Sequence, residues 1–137
     1  MSARSKARKR ALDVLYGADV RGDSINASLL AEENRHLADP KRGSSWEYAS
    51  QIVRGIAEHG DEIDELIETY SQSWTIERMP AVDRAIIRIG IWELLFNDAV
   101  PDAVAISEAV ESATVLSTED SSSFVNGILG RIAHTRA

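Results

Sequence analysis

The 137-residue chain has no cysteine, three prolines, eight aromatic residues and no long apolar run. Without cysteine there are no disulfides, thiolate zinc sites, iron–sulfur clusters or thiol nucleophiles. The longest stretch free of charge is Ser121 to Gly130, ten residues. A membrane-spanning helix needs roughly 20 apolar residues, so no such helix is expected. The basic opening is followed by Ala11-Leu12-Asp13-Val14-Leu15-Tyr16, which carries an acid and no small-residue cleavage site, unlike a secretory leader. The expectation is a soluble cytoplasmic chain. Three histidines, His36, His59 and His134, share no ligand spacing, and there is neither a P-loop nor a glycine-rich dinucleotide turn. No metal and no cofactor is expected.

Positive charge is also scarce, and it is unevenly placed. With 15 Lys and Arg against 22 Asp and Glu the net charge is −7, which disfavours a protein that coats nucleic acid over its whole surface. Yet residues 1 to 21 hold six basic and two acidic groups, and the first ten residues carry five bases and no acid. The result is a local anion-binding candidate on a repelling body.

What the chain has in quantity is helical periodicity, and the expected fold is all-α. From residue 4 to about 18, Ala7, Ala11, Leu12, Val14, Leu15 and Ala18 recur at spacings of three and four. Gly17 and Gly22 mark the fraying end of this helix. Ser24 caps a second helix to about Leu37, with Ile25, Leu29, Leu30 and Leu37 as its apolar set. Residues 39–45 are a loop by composition, and Ser45 caps a third helix built on Trp46, Ala49, Ile52, Val53 and Ile56. Asp61 opens a fourth with Ile63, Leu66, Ile67 and Tyr70 inward. After a turn at 75–80, Pro80 stands at a first helical position. The helix over 80–97 is apolar nearly all round and so becomes the central core helix. Pro101 starts a sixth helix with Val104, Ala105, Ala109, Val110, Ala113 and Leu116 inward. Asp120 or Ser121 caps a seventh, carrying Phe124, Val125, Ile128, Leu129 and Ile132.

Few residues suggest chemistry. The acids Glu58, Asp61, Glu62, Asp64, Glu65 and Glu68 suit a helix start and a solvated face better than a paired-carboxylate site. Ser121, Ser122 and Ser123 have no nearby base to activate them, so capping is their expected role. Gly127 and Gly130 sit inside a helical pattern, where glycine costs about 1 kcal/mol relative to alanine. They suggest close approach of another helix or of a ligand. Arg4, Lys6, Arg8, Lys9 and Arg10 crowd one and a half turns, either as a solubilising end or as a phosphate-docking segment of the kind that binds RNA. Tyr16, two turns on, offers a ring on which a base can stack.

Four ordered strings carry a family resemblance: Arg4-Ser5-Lys6-Ala7-Arg8-Lys9-Arg10-Ala11-Leu12-Asp13-Val14-Leu15-Tyr16; Val82-Asp83-Arg84-Ala85-Ile86-Ile87-Arg88-Ile89 with Trp92-Glu93-Leu94; Val100-Pro101 through Val104-Ala105-Ile106 to Glu108-Ala109-Val110; and Glu119-Asp120-Ser121 with Phe124-Val125-Asn126-Gly127. Together they resemble the NusB transcription antitermination factors over nearly the whole chain. The resemblance implies one NusB-like domain over 1–137, folded as about seven helices in two helical subdomains, and a role that is not enzymatic. It implies binding of the boxA element of nascent ribosomal RNA together with NusE, ribosomal protein S ten, within an RNA polymerase antitermination complex.

Carried over by position, Arg4, Lys6, Arg8 and Lys9 would meet RNA phosphates, with Tyr16, Arg88, Phe124 and Gly127 on or beside the RNA face. Asp83 and Glu93 would face NusE. Ser5, Ser107 and Thr114 depart from the family pattern, each removing a charge or a donor, which Lys9 and Arg10 partly offset; dependence on NusE is not lessened. Whether the chain forms a homodimer is left open by the resemblance. Two other classes compete: the RNA-binding domain of a ribosomal RNA cytosine methyltransferase, for which 137 residues leave no catalytic domain, and a helical adaptor that binds only protein.

Overall fold

A computed structural model describes residues 2–38, 44–72 and 74–136, with Ser44 known only through its backbone. The described residues form seven α-helices and no strand. No helix among them is long and apolar enough to cross a membrane. The chain divides into two compact units, Met1–Glu58 and His59–Ala137.

The first unit holds α1 (Ala3–Arg21), α2 (Ile25–Ala38) and α3 (Ser44–Glu58). Ser2 caps α1, its Oγ accepting from the Ser5 amide at 3.0 Å. The helix runs through Gly17 and stops at Gly22, whose left-handed φ of 72° lets the Asp23 amide reach back to the Ala18 carbonyl at 2.9 Å. Every apolar residue expected on its stripe is buried, against α2 and α3. Ser24 caps α2 through the Ala27 amide, but α2 contributes little to the core. Of its expected apolar set Leu29 is buried, Ile25 is half-buried, and Leu30 and Leu37 face solvent. The five expected core residues of α3 are all buried. The expected loop falls, over residues 39–43, outside the described residues. Ser45 lies inside α3 rather than capping it, and its Oγ accepts from Arg10 Nε at 2.8 Å, tying α1 to α3.

The second unit holds α4 (Gly60–Tyr70), a 3-10 turn (Ile76–Arg78), α5 (Ala81–Phe96), α6 (Asp102–Leu116) and α7 (Glu119–Arg136). Pro80 and Pro101 stand one residue before their helices with extended ψ of 142° and 146°, so each precedes the first turn instead of forming it. Thr118, not Asp120 or Ser121, caps α7, accepting the Ser121 amide at 3.2 Å on Oγ1. α5 packs on α4, α6 and α7, with Ile86, Ile87 and Ile91 fully buried. α6 turns Ala105, Ala109 and Ala113 inward and leaves Val104 and Leu116 exposed. Small residues on its inner face allow close packing on α7.

Gly90 makes a close approach to another helix: a Cβ there would lie 2.6 Å from Leu129 Cδ1 on α7. Among the described residues Gly130 meets nothing, and Gly127 meets only the Arg131 side chain of its own helix, so neither receives a second backbone there.

Candidate nucleic-acid interface

On α1 the buried stripe fixes what must point outward. Lys6, Lys9, Asp13 and Tyr16 follow one another at spacings of three and four on the solvent side, and all are exposed. Lys9 pairs with Asp13 at 2.6 Å, a surface i,i+4 contact that an anion can displace at a cost of well under about 1 kcal/mol. Lys6 has no partner among the described residues. Tyr16 keeps 45% of its surface exposed, so its ring is open to a planar ligand. Arg4 is exposed, with its guanidinium 4.9 Å from the centre of the Tyr48 ring on α3, a cation–π contact that steadies the first turn.

Arg8 differs from its neighbours. It is 7% exposed and shares the inward side with Ala11, Leu12 and Leu15, and it interacts with other groups of the protein. The expectation that Arg8 meets phosphate is therefore corrected: the helical period turns this arginine into the unit, where it packs.

The second unit contains the other expected residues. Arg88 makes a bidentate pair with Asp64, Nε to Oδ1 at 2.9 Å and Nη2 to Oδ2 at 3.1 Å, joining α5 to α4. Its side chain is 17% exposed, so this guanidinium is committed to the fold. Asp83 is wholly buried, its Oδ2 accepting from Ser121 Oγ at 2.7 Å, while its Oδ1 has no hydrogen-bond partner among the described residues. Glu93 is 1% exposed and internally engaged. Neither carboxylate reaches the surface, so neither can present itself to a partner protein. The partly exposed side of α5 is taken by Arg84, Arg88 and Leu95 instead.

Phe124 and Gly127 lie on α7, both half-buried. The Phe124 ring stands 5.2 Å from that of Trp74, at an interplanar angle of 35°. Trp74 is 38% exposed and went unnoticed in the sequence. Its signal was its company: an isolated tryptophan among Ser71, Gln72 and Thr75, with no apolar residues at helical spacing to bury it. Among the described residues no group of three His, Cys, Asp or Glu could hold a metal ion.

The NusB family model matches residues 5–134. The chain belongs to the NusB family. It is 66% identical to the transcription antitermination protein NusB of Clavibacter sepedonicus, with 100% of both chains covered. T. maritima NusB superposes with a TM-score of 0.83 at 34% identity, covering 98% of this chain and 92% of that one. A crystal structure of the antitermination factors NusB and NusE in complex with dsRNA matches with a TM-score of 0.80 at 29% identity, covering 98% of each chain. NusB proteins are transcription antitermination factors and not enzymes.

Proposed function

We propose that this NusB-family chain binds the boxA element of nascent ribosomal RNA together with NusE, as part of an RNA polymerase antitermination complex. The observation that carries the reading is the outward stripe of α1. It exposes Lys6, Lys9 and Tyr16, with Arg4 at the helix start, on a chain of net charge −7. Cations in one place on an acidic body favour one RNA path and repel others. Arg4, Lys6 and Lys9 take phosphates, and Tyr16 takes a base on its ring. On α7 of the second unit, Phe124 offers a ring to RNA, and Gly127 stands about one turn further along the helix. The solved relative that carries both NusE and RNA supports the same pairing of partners.

Because the reading engages three exposed cations of α1, RNA affinity from this chain alone is modest, and NusE supplies the added contacts. A fluorescence anisotropy titration with boxA and scrambled RNA, each with and without NusE, tests the reading. The expected result is weak binding by the chain alone and a clear preference for boxA once NusE is present. Equal binding of both RNAs in the presence of NusE refutes it.

A further inference from the structure

From the second unit we infer that Trp74 and Phe124 together form a platform on which one unpaired RNA base stacks, with Arg131 holding Trp74 in place as a positioning residue; this rests on the RNA-binding reading above. The segment that carries Trp74 is held in an uncommon backbone form. Gln72 has φ 63°, in the left-handed region that a non-glycine residue enters at some cost. Such a conformation persists only where its surroundings fix it, and the contacts that fix it are visible. Arg131 Nη2 donates to the Tyr70 carbonyl at 2.8 Å, and Ser71 Oγ donates to the Trp74 carbonyl at 2.5 Å.

The Arg131 guanidinium can occupy that position because residue 127 is glycine. A Cβ there would lie 3.1 Å from Arg131 Nη1. Gly127 thus acts on the aromatic pair through Arg131, within one helix, rather than by touching RNA. Hydrophobicity alone gives no reason to leave the largest side chain of this segment over one-third exposed. A ring that must accept a flat partner has that reason, since every base offers a π-face.

The surroundings say which part of RNA is bound. Glu119 and Asp120 stand exposed in the first turn of α7, one turn before Phe124, so phosphate is repelled there. The platform therefore contributes stacking and little charge. Loss of Trp74 should weaken RNA binding without changing its salt dependence, the opposite of losing Lys6 or Lys9.

The test uses the full chain with boxA RNA carrying 2-aminopurine at successive positions, with Trp74→Ala, Trp74→Leu and Trp74→Phe as variants of confirmed helicity. Wild type should quench the probe at one position. Trp74→Ala and Trp74→Leu should bind roughly tenfold or more weakly and lose that quenching, with the salt slope unchanged, while Trp74→Phe keeps most of both. Variants that bind and quench like wild type would overturn the platform while leaving the RNA reading intact. A loss seen only when NusE is present would overturn it in favour of a protein contact. Failure of wild type to bind any RNA, with or without NusE, would overturn both.

Discussion

Ser121 gives its hydroxyl proton to Asp83 at 2.7 Å, both side chains being almost wholly inside the protein. The bond joins the first turn of α5 to the first turn of α7, and Ser117 and Thr118 hydroxyls surround the same Ser121 oxygen at 3.0 Å. A serine expected to be a cap instead donates to a buried carboxylate. Replacing it with alanine leaves that carboxylate without this donor, and an unsatisfied buried group costs about 1–3 kcal/mol or more if charged. Ser121→Ala should lower the thermal midpoint by several degrees, measured by circular dichroism. An unchanged midpoint would show that the buried acid does not depend on this hydroxyl.

Arg8 and Lys6 should part company under mutation. Arg8→Ala removes packed stem and internal polar contacts and should destabilise the chain by about 1–3 kcal/mol. Lys6→Ala removes an exposed group and should change stability by less than about 0.5 kcal/mol. Urea unfolding of the two variants separates them, and equal stabilities would contradict the placement of Arg8.

Gly90→Ala should be destabilising although alanine is the better helix former. Propensity favours the change by about 1 kcal/mol. Against it, the new methyl meets Leu129 Cδ1 at 2.6 Å, and Leu129 is fully buried. Overpacking costs about 1–3 kcal/mol, so the clash wins or nearly balances. A rise in the thermal midpoint would mean that α7 moves away freely.

At Gly127 the same substitution should give a different pattern. The contact is with a flexible arginine tip at 3.1 Å, so the propensity gain of about 1 kcal/mol offsets most of the loss and stability stays near wild type. RNA binding should nevertheless fall, because Arg131 is displaced from the Tyr70 carbonyl. Wild-type affinity from Gly127→Ala would disconnect Arg131 from the aromatic pair.

How far the sequence carried depends on which force decided each feature. Helical periodicity placed all seven helices, since burial of a continuous stripe is what forms them. It located their ends less well, because Pro80 and Pro101 satisfy the sequence signal whether they begin the first turn or precede it. Arg8 was legible in principle: it shares the spacing of Leu12 and Leu15, so a strict reading of the period turns it inward. Asp83 and Glu93 were legible through their helix, whose apolar residues run nearly all round it and leave little outer face. Arg88 was not, since its partner Asp64 lies 24 residues away and no local pattern announces the pairing. Trp74 escaped because an exposed aromatic has no periodicity to report it.

The most direct measurement is the salt dependence of boxA affinity for wild type and for Lys6→Ala with Lys9→Ala, with NusE present. Each single-strand phosphate contact adds roughly 0.7 to the slope of log affinity against log salt, so the double variant should flatten the slope by about 1.4 and bind more weakly at low salt. Parallel slopes for the two proteins would show that the outward stripe of α1 does not meet the RNA.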